Sequence, residues 1–151
     1  TRILGKTLGS LTLLADTLKG WLAMSLASWV LNDTAAIAGA GLMVFLGHLF
    51  SIFLKFKGGK GVATGFGIHI YVMPGATFLA VGIFAFTLWI SKYVSISSMF
   101  AAIALPMFGM FMKIPFLYVC MSLSIAILVV FKHHENIRRI IAGTESHFPK
   151  K

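Results

Sequence analysis

The stretch Lys55-Phe56-Lys57-Gly58-Gly59-Lys60-Gly61-Val62-Ala63-Thr64 sets three lysines and three glycines between two apolar runs, 35–54 and 62–73. How the second run is read decides the fold. If 62–73 crosses a membrane, the basic breaks of the chain fall almost entirely on one side. If it does not, the tally scrambles. Composition already points to lipid: of 151 residues, 58% are hydrophobic and 11% charged, against ~25% charged in a soluble domain. The formal charge of +9 is therefore read as orienting loops and contacts with anionic headgroups, not as a nucleic-acid surface.

Working outward, the apolar runs are 11–31, 35–54, 62–73, 76–90, 94–112 and 116–131. They predict an all-α polytopic membrane protein with about six transmembrane helices, one of them short. Asx chemistry at Asn32-Asp33 marks the first break, with Thr34 expected to cap the next helix. Pro106 is expected to kink the fifth run, and Lys113-Ile114-Pro115 to form a tight break. Placing the breaks alternately puts Arg2, Lys6, Lys55, Lys57, Lys60, Lys92, Lys132, Arg138, Arg139, Lys150 and Lys151 on one side. Lys113 alone takes the other, and Lys19 lies within a span. That bias makes the basic side cytoplasmic. No repeat or linker divides the chain, so residues 1–151 are read as one membrane-embedded domain. After residue 131, Ile137, Ile140 and Ile141 recur at helical spacing and predict a small amphipathic helix on the membrane surface, ended by Gly143.

Three polar clusters then share the cytoplasmic face: the N-terminal segment, the glycine–lysine loop and the C-terminal tail. Glycines can turn successive N–H groups toward one point, forming an anion nest. A helix starting at about Gly61 would aim its free N–H groups and positive dipole end at the same place. The spacing is not that of a Walker nucleotide loop, because Lys60 precedes Gly61 where that pattern has Ser or Thr. A flexible basic turn is the plainer reading. His133 and Asn136, three apart, share a helix face and can reach one ligand; a basic tail facing lipid is the alternative. Asp16 and Lys19, at i and i+3 inside a span, read as a structural ion pair. His48 lies about two turns before the loop and reads as a satisfied core histidine. His69 and His147 carry no pattern, and Cys120 is a lone, inert thiol. No His or Cys spacing suits a metal.

These motifs resemble the PlsY family, bacterial membrane glycerol-3-phosphate acyltransferases that use acyl phosphate. The matching residues are Gly47-His48, then Phe56 to Thr64, then His133 to Glu145, with Asp16-Thr17-Leu18-Lys19-Gly20 fitting an early span. The resemblance implies transfer of an acyl chain from acyl phosphate to the 1-hydroxyl of glycerol 3-phosphate, giving lysophosphatidic acid and phosphate, with no cofactor. It implies that Gly58, Gly59, Lys60, Gly61 and Thr64 hold the acyl-phosphate headgroup. Arg2, Lys60, His133 and Asn136 would meet glycerol 3-phosphate, with Lys60, His133 and Asn136 catalytic. It further implies a bacterial inner-membrane location, an active site facing the cytoplasm, and an upstream enzyme that makes acyl phosphate. No His is followed by Asp at the five-residue spacing of the acyl-CoA-dependent acyltransferases. With four acidic residues and none near the loop, a substrate phosphate is expected to take the hydroxyl proton. The family begins with a further span, seven in all, and a motif whose final arginine matches Arg2, so the resemblance implies an N-terminally incomplete chain. Two other readings compete: a small anion or phosphate transporter, and a non-catalytic protein whose basic face binds headgroups.

Overall fold

The computed structural model describes residues 5–52, 55–56 and 58–148, with side chains from residue 7 onward. Seven helices follow in order: α1 (Gly5–Val30), α2 (Thr34–Leu49), α3 (Val62–Val72), α4 (Pro74–Ser91), α5 (Val94–Phe111), α6 (Phe116–Lys132) and α7 (His134–Ile141). Six apolar runs have become six helices, and the tail has become the short amphipathic one. α4 and α5 are long and apolar enough to cross a membrane, and the bent pair α6–α7 adds a third candidate span. α2 and α3 are shorter apolar helices, and α1 has 26 residues but carries Asp16 and Lys19. Large apolar side chains face outward, among them Trp29, Phe78, Phe111 and Phe116, as expected where hydrocarbon is the solvent.

Several boundaries differ from the sequence reading. α1 starts six residues before residue 11, because Ser10 and Thr12 return their hydroxyls to the carbonyls of Thr7 and Leu8 at 2.8 Å and so do not compete with the helix. Asp33, not Thr34, caps α2: its backbone is extended (φ −117°, ψ 132°), and its Oδ2 accepts from the Ala36 N–H at 2.8 Å. A carboxylate there also meets the positive end of the helix dipole. α2 stops at Leu49, well short of residue 54. Pro106 lies inside α5, within the run where the sequence placed it.

The chain divides into two compact units, Thr1–Pro74 and Gly75–Lys151. In the first, α1 and α3 cross backbone to backbone. A Cβ on Gly20 would strike the Thr64 carbonyl, and one on Gly67 would strike the Thr17 carbonyl and come within 3.0 Å of the Trp21 nitrogen. Small residues at such a crossing let dispersion do what hydrophobic burial cannot do in lipid. Further along, Tyr71 packs edge-on to Trp21, with ring centroids 5.9 Å apart, and shares a hydrogen bond with Ser28 at 2.5 Å. In the second unit α5 packs on α6, burying Ser95, Ser98, Leu105 and Gly109 on one side and Val119, Ser122, Ile125 and Val129 on the other.

Candidate functional site

Each unit carries one cluster of the residues singled out above. In the first unit the glycine segment leads into α3. Gly61 is the residue before the helix, left-handed at φ 78°, and its carbonyl accepts from the Gly65 N–H at 2.7 Å. A side chain there would be strained by φ and blocked by Phe45 and Leu49, whose atoms lie 2.5 and 2.6 Å from a Cβ. The helix start falls where the sequence placed it.

The nest of positive-φ glycines is corrected. Among the described glycines of this segment only Gly61 is left-handed; the other left-handed residues are Lys55 (φ 49°) and Phe56 (φ 63°). These two turn the chain, with the Phe56 N–H donating back to the Ser51 carbonyl at 2.9 Å. Gly58 and Gly59 are needed for a different reason, which is closeness. A Cβ on Gly58 would collide with the His48 carbonyl and lie 2.6 Å from that of Leu49; on Gly59 it would lie 2.8 Å from His48 Nε2. The segment is therefore laid against the last turn of α2. Gly59 and Lys60 stay exposed at the N-terminal end of α3. Thr64, by contrast, is fully buried in the α1–α3 crossing, and its Oγ1 has no partner among the described residues. Arg2 and Lys57 lie outside the described residues.

Asp16 and Lys19 pair, as expected, with Nζ 2.9 Å from Oδ1. The same Nζ lies 3.0 Å from His48 Nδ1, so the histidine behind the glycine segment is tied to that pair. Sequence spacing gave no sign of this contact.

In the second unit the chain bends by 47° between α6 and α7, and His133 sits at the bend, 2% exposed. Its Nδ1 lies 2.7 Å from the Val129 carbonyl. A carbonyl only accepts, so Nδ1 carries the hydrogen, and in the neutral ring Nε2 is then an acceptor. The helical spacing to Asn136 holds, with the Ile137 N–H donating to the His133 carbonyl at 2.9 Å, and Asn136 is also 2% exposed.

What orients Asn136 is Glu145, which the sequence reading noted but did not place. Gly143 (φ 66°) ends α7. Its N–H donates to the Ile140 carbonyl at 3.0 Å and that of Thr144 to the Arg139 carbonyl at 2.8 Å, the paired bonds of a Schellman turn. This turn swings Glu145 back against the helix. There Oε1 accepts from Asn136 Nδ2 at 2.7 Å and from Ser95 Oγ at 3.2 Å, while Oε2 accepts from Arg139 Nε at 2.7 Å. Burial alone would raise this carboxyl. The hydrogen bonds from Arg139 and Asn136, the Arg139 charge and the Ser95 bond outweigh it and hold the group at about 2. Glu145 is thus an ionised structural anchor. The tail beyond it is fastened too: Tyr93 Oη lies 3.1 Å from His147 Nε2, and the Phe148 N–H donates to the Lys92 carbonyl at 2.7 Å. Among the described residues no group of three His, Cys, Asp or Glu is placed to hold a metal ion.

Comparison with known proteins gives these clusters a context. Residues 1–143 match the family model described as glycerol-3-phosphate acyltransferase. A glycerol-3-phosphate acyltransferase of Geotalea daltonii is 44% identical over 149 residues, spanning 99% of this chain and 77% of the relative. One from Geobacter sulfurreducens is 45% identical over 151 residues, spanning 97% and 76%. Among solved structures, the glycerol 3-phosphate form of PlsY (YgiH), an integral membrane glycerol 3-phosphate acyltransferase, is 35% identical with a TM-score of 0.91 over 98% of this chain and 74% of that one. Its lysophosphatidic acid form gives 0.90 at the same identity, over 98% and 76%.

Proposed function

This chain belongs to the glycerol-3-phosphate acyltransferase family, and from that premise we propose that it moves an acyl group from acyl phosphate to the 1-hydroxyl of glycerol 3-phosphate. It is a multi-pass membrane acyltransferase, and the transporter reading falls away with the family. The products are lysophosphatidic acid and inorganic phosphate. The glycerol oxygen attacks the acyl carbon, the bond from that carbon to the phosphate oxygen breaks, and the hydroxyl proton passes to a substrate phosphate. The reaction runs at the cytoplasmic face of the bacterial inner membrane, with acyl phosphate supplied by an enzyme that phosphorylates or phosphorolyses an activated acyl group.

The roles follow the chemistry each group offers. Gly58, Gly59, Lys60, Gly61 and the first turn of α3 through Thr64 receive the acyl-phosphate headgroup, where N–H donors and an ammonium meet charge developing on the carbonyl and leaving phosphate. Arg2 and Lys60, as cations, take the phosphate of glycerol 3-phosphate. His133 and Asn136 hold its glycerol part: a ring whose Nδ1 donates to Val129 offers Nε2 as an acceptor, which suits a hydroxyl better than a phosphate oxygen. The single observation that carries this reading is the glycine segment laid against α2, with Lys60 exposed at the start of α3.

The test is turnover by the full chain in lipid nanodiscs with acyl phosphate and glycerol 3-phosphate, repeated with acyl-CoA and with Lys60→Ala. Turnover with acyl phosphate and a loss of roughly a hundredfold or more in Lys60→Ala are expected. No turnover with acyl phosphate, or an undiminished variant, would refute the proposal.

A further inference from the structure

The family reading leaves one polar chain unused, the one that runs from a half-exposed Asp16–Lys19 pair to His48. Lys19 Nζ is 2.9 Å from Asp16 Oδ1 and 3.0 Å from His48 Nδ1, whereas the direct separation of Nδ1 and Oδ1 is 3.5 Å. The two short contacts outweigh the long one, so the ammonium is the bridge. An ammonium only donates. Nδ1 must therefore accept, and the ring hydrogen sits on Nε2. That is the edge which faces the glycine segment: a Cβ on Gly59 would lie 2.8 Å from Nε2 and 3.3 Å from Cε1. Gly58 meets the same turn of α2 through backbone only, at the carbonyls of His48 and Leu49. Charged groups within an apolar helix are expensive to keep, yet here two of them serve to fix one ring.

We propose that His48 is a positioning residue for the acyl-phosphate segment: Asp16 and Lys19 fix its tautomer and orientation, and its Nε2–H edge fixes how Gly59 is presented to the donor. The proposal rests on the acyl-phosphate reading of that segment. Its signature is specific to one substrate. Loosening His48 raises KM for acyl phosphate and leaves KM for glycerol 3-phosphate where it was.

The experiment compares His48→Gln, whose amide nitrogen can stand where Nε2 stands, with His48→Asn, whose nitrogen stands nearer Nδ1, and with His48→Ala. KM for acyl phosphate should rise about tenfold in the Asn and Ala variants and by no more than about threefold in Gln, which keeps an N–H donor on the edge that faces Gly59. Equal effects of Gln and Asn, or an equal rise in both KM values, would overturn the proposal, since a merely structural role gives that pattern. A second arm uses the two glycines. Gly59→Ala should lose much less in a His48→Ala background than in the native one, because its obstacle is that side chain. Gly58→Ala should lose the same in both, because its obstacle is backbone. The same loss for Gly59→Ala in both backgrounds would overturn the proposal. Should the native protein not turn over acyl phosphate at all, the function assigned above has failed. The coupling of His48 to Gly59 is then read from thermal unfolding of the same four proteins, where a persisting non-additivity upholds the positioning contact and strict additivity sinks it.

Discussion

Replacing Glu145 by Gln removes one charge from a closed circuit of Asn136, Ser95 and Arg139. The size of the effect can be worked from the carboxyl itself. Its folded value of about 2 lies below the unfolded value of 4.5, and at 1.36 kcal/mol per unit that difference contributes about 3 kcal/mol at neutral pH. Direct removal of one partner from a buried pair falls in the same range. Because the folded value is the lower one, the contribution is complete above pH 4.5 and drains away as pH falls toward 2. In detergent, Glu145→Gln should therefore unfold roughly 10 °C below the native protein at pH 7. The gap should narrow steadily below pH 4.5, as the native protein loses what the variant never had. Intrinsic fluorescence or differential scanning through a pH series reads both. A variant within a degree or two of native at pH 7, or two curves that stay parallel from pH 5 to pH 3, would refute the reasoning. Activity is a separate question. If a substrate phosphate takes the proton, the folded fraction of Glu145→Gln should keep measurable turnover, and its complete loss without loss of folding or binding would count against that step.

Gly58→Ala should reduce turnover by roughly a hundredfold or more, since its Cβ meets two carbonyls that belong to α2 and cannot swing aside; Gly82→Ala, which meets nothing within 4 Å, is the matched control and should be as active as native. Gly67→Ala forces α1 and α3 apart at Thr17 and should lower stability by about 1–3 kcal/mol in a thermal scan. Asp33→Ala removes the cap of α2 and should lower stability by about 1 kcal/mol without changing KM for either substrate.

Much of the fold was legible because hydrocarbon imposes long apolar runs, and five of the six helix starts fall within two residues of those runs. The end of α2 was not. Residues 50–54 are as apolar as those before them, and the approach of Gly58 and Gly59 to the last turn of α2 is a contact across the loop that no local pattern shows. The glycine segment was legible as a site but not in its mechanics. Three glycines in four positions look alike on paper, yet Gly61 is there for its dihedral angle and its two neighbours for their lack of a side chain. Asp33 and Thr34 could each have capped α2, and only the direction of the chain at the break separates them. The Glu145 circuit was out of reach because its second oxygen donor, Ser95, is fifty residues upstream. Nothing local links the two.

That separation has a consequence in time. A ribosome adding roughly 5–20 residues per second makes Ser95 several seconds before Glu145, so Asn136 can be oriented only once Glu145 itself has left the tunnel. A nascent chain cut short anywhere in α7 would carry His133 and Asn136 without the carboxylate that sets them. For a membrane acyltransferase, competence then waits on the residue that sets Asn136, and nascent chains in the bilayer that have not reached it stay silent.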